Sequence, residues 1–250
     1  MADPQLYPLE VNAKTGEPFL RLRNHKNIIL TPPRLEDIPA LVSILNDPRV
    51  CDCLSGPPYP YTLDHAKYWI NMIKPLSDQV FKELEDAREE PTPTIVGHCP
   101  VRYIREVQED GTDVFLGDAS IIRCLHGELM GPNGPMEVDW ENKEKREEEN
   151  NQIPVGDPSI IWSFGDYLAP SHHRQGIMSD AIGTILHEWG IPRMAIRRMW
   201  VSAFTGNEGS VRVFQKNGFE LVATRENHFE VKGKIRGLHL LEWKHESYRG

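Results

Sequence analysis

The sequence predicts an α/β (α+β) fold, a sheet flanked by helices, and three observations lead there. Strand-like and helix-like hydrophobic periods alternate: strand and helix first, a meander in the middle, then strand, helix, strand, helix, strand, strand. The 250 residues, 39% of them hydrophobic, can bury a packed core, which excludes global disorder. This length suits one large domain or two small ones, and the element order favours a single domain over 1–250. The third observation is charge. The chain has 37 acidic against 28 basic side chains, a net charge of -9, which argues against nucleic acid or anionic lipid as a partner because both are held by clustered Lys and Arg.

The opening strand pair is Phe19–Arg23 and Ile28–Thr31, around the turn Asn24, His25, Lys26 and Asn27. Pro32 and Pro33 stop it. A short amphipathic helix follows, with Ile38, Leu41, Val42 and Leu45 at three- and four-residue spacing until Asn46, Asp47 and Pro48. Thr62 caps a second helix with Ala66, Trp69, Ile70 and Ile73 on one face, and the charged stretch 82–90 continues as solvated helix or loop. Strand period returns in one run over Thr94–His98 and Val101–Ile104, then over Val114–Leu125, with Asp110 and Gly111 as the hairpin turn between them. Ser159–Leu168 is a strand. A helix opens near Gly176, carries Ile182, Ile185, Leu186 and Trp189 on one stripe, and is closed by Gly190 and Pro192. Met199–Ala203 is a buried strand, Asn207 caps a helix that Gly218 ends, and the runs Phe219–Val222 and His239–Trp243 are separated by a loop containing Gly233.

An acidic insertion occupies about 127–158. Within it Glu137–Glu149 holds seven acids against three bases and reads as a solvated segment between strands, with an acidic docking surface as the alternative. Deleting 131–156 is expected to leave the fold intact. No apolar run is long enough to span a bilayer, and the N-terminus (Met1, Ala2, Asp3, Pro4, Gln5) lacks the basic and apolar regions of a leader, so a cytoplasmic protein without a membrane partner is expected. The cysteines are Cys51, Cys53, Cys99 and Cys124, too few for a disulfide scaffold. Cys51 and Cys53 could form half of a metal site, but no second Cys or His pair stands at finger or ribbon spacing; free thiols and no metal are expected.

The chemistry concentrates at two strand-to-helix junctions. In the first, His173, Arg174, Gln175, Gly176, Ile177, Met178, Ser179 and Asp180 lead into a helix whose first N–H groups have no intrahelical partner, and Gly176 permits close backbone approach, so the junction can hold a pyrophosphate. It matches neither the Walker A pattern nor the dinucleotide fingerprint. The second junction runs Asn207, Glu208, Gly209, Ser210, Val211, Arg212, Val213, Phe214, Gln215, Lys216, Asn217, Gly218, Phe219. Asn, two residues, Ser, two residues, an aliphatic residue, two residues, Lys, then Gly-Phe resembles the second signature of the GNAT acyltransferase superfamily. Phe164 to Pro170, followed by Arg174, Gln175, Gly176, Ser179, Asp180 and Ala181, resembles the first. In detail the sequence is similar to the branch that acetylates ribosomal-protein N-termini and some small amines. The resemblance is specific over Ser159–Val222.

What the resemblance implies is a single domain with a mixed, mostly antiparallel central sheet, acetyl-CoA as co-substrate and a primary amine as acceptor, either a protein N-terminus or a small molecule. Tyr167 and Leu168 would offer backbone groups to the pantetheine arm, and the stretch His173, Arg174, Gln175, Gly176, Ile177, Met178 and Ser179 would receive the pyrophosphate. His173 and Met178 depart from the family's phosphate-loop letters. Beyond a gap in the sheet, Asn207 would bond the cofactor arm, with Phe214 and Lys216 on the same helix. Asn207 is also a good N-cap, and Lys216 suits a helix C-terminus for electrostatic reasons alone.

Amide formation needs a neutral amine, a polarised carbonyl and a proton for the leaving thiolate. Many superfamily members donate that proton from a Tyr; the matching residue here is Phe214, so Ser210, or a water, takes the role. Asp166 is the candidate base, with Glu226 and His228 in the following loop as others. Two functions follow: an acetyl-CoA-dependent N-acetyltransferase working by direct transfer in a ternary complex, or a non-catalytic acyl-CoA-binding protein.

Overall fold

The computed structural model describes residues 4–248; Met1–Asp3, the start of the N-terminus read above as leaderless, lie outside the described residues. The elements begin with strands β1 (Glu10–Val11), β2 (Pro18–Arg21) and β3 (Ile28–Thr31), then helices α1 (Ile38–Leu45), α2 (Pro48–Cys51) and α3 (Leu63–Asp86). Strands β4 (Tyr103–Val107) and β5 (Asp113–Arg123), helix α4 (Lys143–Gln152), strand β6 (Ile161–Leu168) and helix α5 (Ile177–Thr184) follow. The chain closes with α6 (Ile191–Met194), β7 (Arg198–Phe204), α7 (Glu208–Gln215), β8 (Glu220–Val231) and β9 (Lys234–Lys244). It folds as two compact units, Met1–Ser120 with Gly165–Met194 and Ile121–Phe164 with Ala195–Gly250.

In the first unit the strands run in the order β1-β2-β3-β4-β5-β6. Neighbours from β1 to β5 pair antiparallel, and the β6 end bonds back to β5 through Ala169 N to Leu116 O at 2.6 Å. Three helices cover one core. Leu41, Ile44 and Leu45 of α1 meet Ala66, Ile70 and Ile73 of α3 over Tyr61, Tyr103 and Phe115. Thr62 caps α3 reciprocally: its Oγ1 accepts from His65 N at 3.3 Å, and its N–H donates to His65 Nδ1 at 3.1 Å. The helix continues through Pro75 to Asp86, so the charged stretch is helix for its first part.

Two expectations change in this unit. Residues 94–102 do not join a ladder; the strand begins at Tyr103. Pro93 and Pro100 have no N–H to give, and the segment is held by scattered bonds instead, among them Val96 N to Arg193 O at 2.8 Å and Arg102 N to Thr31 O at 2.9 Å. The helix after Gly176 does not close at Gly190. It widens into a π-helical stretch over Ile185–Gly190 and resumes as α6, a change of hydrogen-bond pattern just where Pro192 cannot donate. Ile185, Leu186 and Trp189 stay buried on the expected stripe.

The second unit has the order β5-β6-β7-β9-β8. Its β6 and β7 are parallel, paired at Ile161/Arg198 and Trp162/Met199, while β7, β9 and β8 are antiparallel to their neighbours, which makes the sheet mixed and mostly antiparallel, as expected. The β8–β9 turn is Lys232-Gly233, both with positive φ (51° and 73°), a hairpin turn that suits the strand twist. Glu226 and His228, expected in a loop, lie in β8 beside a shift of register between Arg225 and Phe229.

The acidic segment is also a correction: it is anchored, not merely solvated. Asn150 of α4 is buried, its Oδ1 accepting from Ile161 N and its Nδ2 donating to Ile161 O, each at 2.9 Å. Arg123 donates to the carbonyls of Asn150 and Ile153. A side chain at Gly127 would collide with the Lys143 carbonyl, and Met130 and Val138 pack on a core of Cys124, Leu129, Trp200, Leu238 and Leu240. Glu144, Lys145, Glu148 and Glu149 turn to water on the outer face. Among the described residues no cysteine is disulfide-bonded, and no helix is long and apolar enough to cross a membrane.

Candidate active site

In the first unit the phosphate-loop candidate is built by backbone conformation. Arg174 and Gly176 both have positive φ, 63° and 83°, on either side of Gln175, and this double turn brings the chain into α5 with its first amides leading. Arg174, Gln175 and Gly176 are exposed, whereas the side chains of Ile177 and Met178 are buried and that of Ser179 half-buried. Met178 therefore fills core instead of crowding the outer face of the loop. His173 is turned elsewhere: its Nε2 lies 2.8 Å from the Leu168 carbonyl, and its N–H donates to Pro170 O at 3.3 Å.

Support for the loop comes from a turn that the sequence reading passed over. The Asp180 carboxylate, in the first turn of α5, accepts from Asn24 N (2.9 Å), Asn24 Nδ2 (2.9 Å), His25 N (2.8 Å) and His25 Nδ1 (2.8 Å). Burial pushes this carboxyl up, but the hydrogen bonds from His25 and Asn24 outweigh it and the net shift is down. The other ring nitrogen of His25 faces Gln175 O at 3.0 Å. An acid in a first helical turn and a His in a tight turn were the only sequence signals for this pairing.

The β6 end carries the polar groups expected beside the thioester. Tyr167 O faces Gly117, where any Cβ would collide with it, and the Tyr167 hydroxyl is buried without a partner among the described residues. Asp166 is half-buried and has no hydrogen-bond partner among the described residues. Burial, helped by the charge of Asp118, pushes its carboxyl up to about 7. Asp118 is itself buried against Arg102 at 2.8 Å. A carboxyl that changes charge near neutral pH suits a proton acceptor.

In the second unit α7 starts as predicted. Asn207 Oδ1 accepts from Ser210 N at 3.2 Å, so the capping role is real. The Ser210 hydroxyl is half-buried and makes no hydrogen bond among the described residues. Phe214, grouped with the cofactor residues, is buried, 1% exposed, with its ring 5.3 Å from that of Phe219 and 6.3 Å from that of Phe164. Lys216 is exposed at the C-terminal end of the helix. No cluster of His, Cys, Asp or Glu among the described residues could hold a metal ion.

Comparison with known proteins agrees with this architecture. An acetyltransferase of the GNAT family from Bacillus anthracis superposes with a TM-score of 0.57 at 10% identity, covering 90% of this chain and 98% of its own. The ribosomal L7/L12 α-N-protein acetyltransferase RimL, solved with coenzyme A, gives 0.56 at 15% identity over 90% of this chain and 97% of its own. Spermidine N-acetyltransferase from Vibrio cholerae, solved with CoA and spermine, gives 0.52 at 11% identity over 87% and 95%. No curated protein matches the sequence. The family model described as acetyltransferase (GNAT) domain matches residues 27–220, well over half of the chain, and the protein belongs to the GNAT acetyltransferase family.

Proposed function

We propose that the protein is an acetyl-CoA-dependent N-acetyltransferase that acetylates a primary amine, a protein N-terminus or a small amine, by direct transfer in a ternary complex in the cytoplasm. The observation that carries this reading is the exposed loop Arg174–Gly176 at the start of α5, set by two positive φ values and by Asp180. Such a helix start fits the pyrophosphate of coenzyme A. Structural neighbours crystallised with coenzyme A and with spermine support the substrate classes.

Bound acetyl-CoA supplies the thioester. The roles of this chain are then as follows: amides from Arg174 to Ser179 bind the pyrophosphate, and Tyr167 and Leu168 serve the pantetheine arm through main-chain groups. Asn207 orders the start of α7 and the cofactor arm with it. Asp166 takes the proton that the nitrogen sheds as the C–N bond forms, and Ser210 donates its proton to the thiolate as the C–S bond breaks, to be reprotonated from solvent. Transferring a proton from a positioned group is worth roughly a hundredfold or more in rate.

The burial of Phe214 favours a second reading, an acyl-CoA-binding protein without catalysis, because the tyrosine proton of many relatives is missing. Calorimetry with acetyl-CoA and thiol release in the presence of spermidine and of an alanine-terminated peptide separate the two. Binding with amine-dependent thiol release is expected. Binding without release assigns the second reading, and no binding overturns both.

A further inference from the structure

One cation in the first unit keeps an unspent donor. Arg102, just before β4, has its side chain 11% exposed, and its guanidinium lies over the Trp69 ring of α3 at 5.5 Å. Its Nε donates to Asp118 Oδ1 at 3.0 Å, and its Nη2 donates to Asp118 Oδ2 at 2.8 Å and to Ser120 Oγ at 2.9 Å. Nη1 makes no hydrogen bond among the described residues, yet it is not sealed in the interior. Two other arginines of this unit are fully spent: Arg34 gives its three nitrogens to Glu17 and Asp113, and Arg105 gives its three to Asp37, Asp113 and the Thr31 hydroxyl. Arg34 thus holds two carboxylates at once, and so does Arg105. Arg102 holds one, side-on, which leaves the far edge of its fork for a second.

This edge is tied to the strand assigned to the cofactor arm. Ser120 Oγ, which accepts from Arg102, donates onward to Gly165 O on β6 at 3.2 Å, two residues before Tyr167. Tyr167 packs together with Trp69 on the core of Tyr61, Tyr103 and Phe115. In that core the Tyr103 and Tyr167 hydroxyls are buried without a partner among the described residues. Burial pushes both phenols up, so they remain neutral and keep their protons to donate. A polyamine, which brings positive charge and N–H donors, has nothing to offer a guanidinium edge. A carboxylate has both the charge and the lone pairs.

We propose that Arg102 Nη1 binds a carboxylate of the acceptor, so that the amine acetylated belongs to an amino acid or another carboxylated amine; this rests on the N-acetyltransferase reading and narrows its substrate class. Asp118 is a positioning residue: by taking Nε and Nη2 it turns the fork so that Nη1 is the nitrogen left over. Ser120 joins the fork to β6, and Trp69 covers one face of the guanidinium, which leaves the ligand the edge. No covalent bond changes at Arg102, whose part is to hold and select the acceptor.

The test measures kcat and KM for wild type, Arg102→Gln and Arg102→Lys with glycine, β-alanine and 4-aminobutyrate, each against its own amide, and with spermidine. Wild type is expected to prefer at least one carboxylate over its amide by roughly tenfold to a hundredfold in kcat/KM, counted per neutral amine, about the worth of one charge-assisted hydrogen bond. Arg102→Gln is expected to bring that ratio to about one by raising KM for the carboxylate while kcat stays within a few-fold, and Arg102→Lys, which keeps a charge beside Asp118, to recover part of it. If Arg102→Gln does not fold, the wild-type preference and Arg102→Lys decide. Amides or spermidine turned over by the wild type as well as the carboxylates overturn the subsite and leave the transferase reading standing. Equal losses with carboxylate and amide in the variants make Arg102 structural and overturn it as well. Acetyl-CoA binding without turnover of any amine overturns the transferase reading, and the subsite with it.

Discussion

His25 Nδ1 lies 2.8 Å from Asp180 Oδ2 while His25 Nε2 lies 3.0 Å from the Gln175 carbonyl. One imidazole thus ties the β2–β3 turn both to the helix start and to the loop preceding it. The phosphate-loop conformation depends on a residue 150 positions away in sequence. His25→Ala is expected to raise the dissociation constant for coenzyme A roughly tenfold, about the loss of one charge-assisted hydrogen bond, with kcat at saturating cofactor unchanged. Calorimetry and steady-state kinetics check this, and a fall in kcat alone would place His25 in the chemistry.

Gly176 has φ 83°, and a Cβ there would have only the His25 ring at 3.7 Å. The constraint is conformational, not steric. Gly176→Val is expected to cost on the order of 1–3 kcal/mol locally and to abolish measurable coenzyme A binding, while circular dichroism at ambient temperature stays that of the wild type. Retained affinity would move the pyrophosphate elsewhere.

Asp166 supplies a prediction with a sign. Its folded-state carboxyl titrates at about 7, far above the usual carboxylate range, so between those values the folded state binds more protons than the unfolded one. Its effect on stability is therefore unfavourable and grows as pH rises through that window. Asp166→Asn should be the more stable protein at pH 8, by on the order of 2 kcal/mol, with no advantage at pH 4. The same variant should lose the rise in kcat that the wild type shows as pH passes through about 7. Thermal melts at the two pH values and a pH–rate profile test both halves.

Ser210→Ala is expected to lower turnover roughly a hundredfold and to leave acetyl-CoA affinity within a few-fold, because its hydroxyl has no structural bond to lose. Near-normal turnover hands the proton to water. A large loss of affinity makes Ser210 a binding residue.

Asn150→Leu tests the anchored acidic segment. Removing the amide leaves the N–H of Ile161 without its partner, while its C=O keeps the bond from Cys124 N at 3.0 Å, and the expected loss is about 1–3 kcal/mol with a lower melting temperature. A wild-type melting curve would restore the solvated reading.

The sequence carried the parts of this architecture that rest on local rules. Thr62, Asn207 and Gly176 announce themselves because a cap or a left-handed turn is decided within four residues. Segments decided by distant partners were misread. Residues 94–98 have strand-like letters, yet their acceptors lie on Gln5 and Arg193 instead of on a neighbouring strand. The stretch 137–149 is charged enough to look solvated, yet the insertion that contains it is anchored through Asn150, Met130 and Val138, a signal no composition window can register. Phe214, a motif position placed with the cofactor residues, also packs its ring against Phe219.

Met178 is buried, while Arg174, Gln175 and Gly176 ahead of it are exposed. A surface made of amides has no side-chain signature, so its letters can drift without its chemistry changing. An alanine scan of Arg174, Gln175 and Met178 would therefore pass almost silently over this loop, and the informative perturbations are those that alter backbone geometry or replace an amide by an ester.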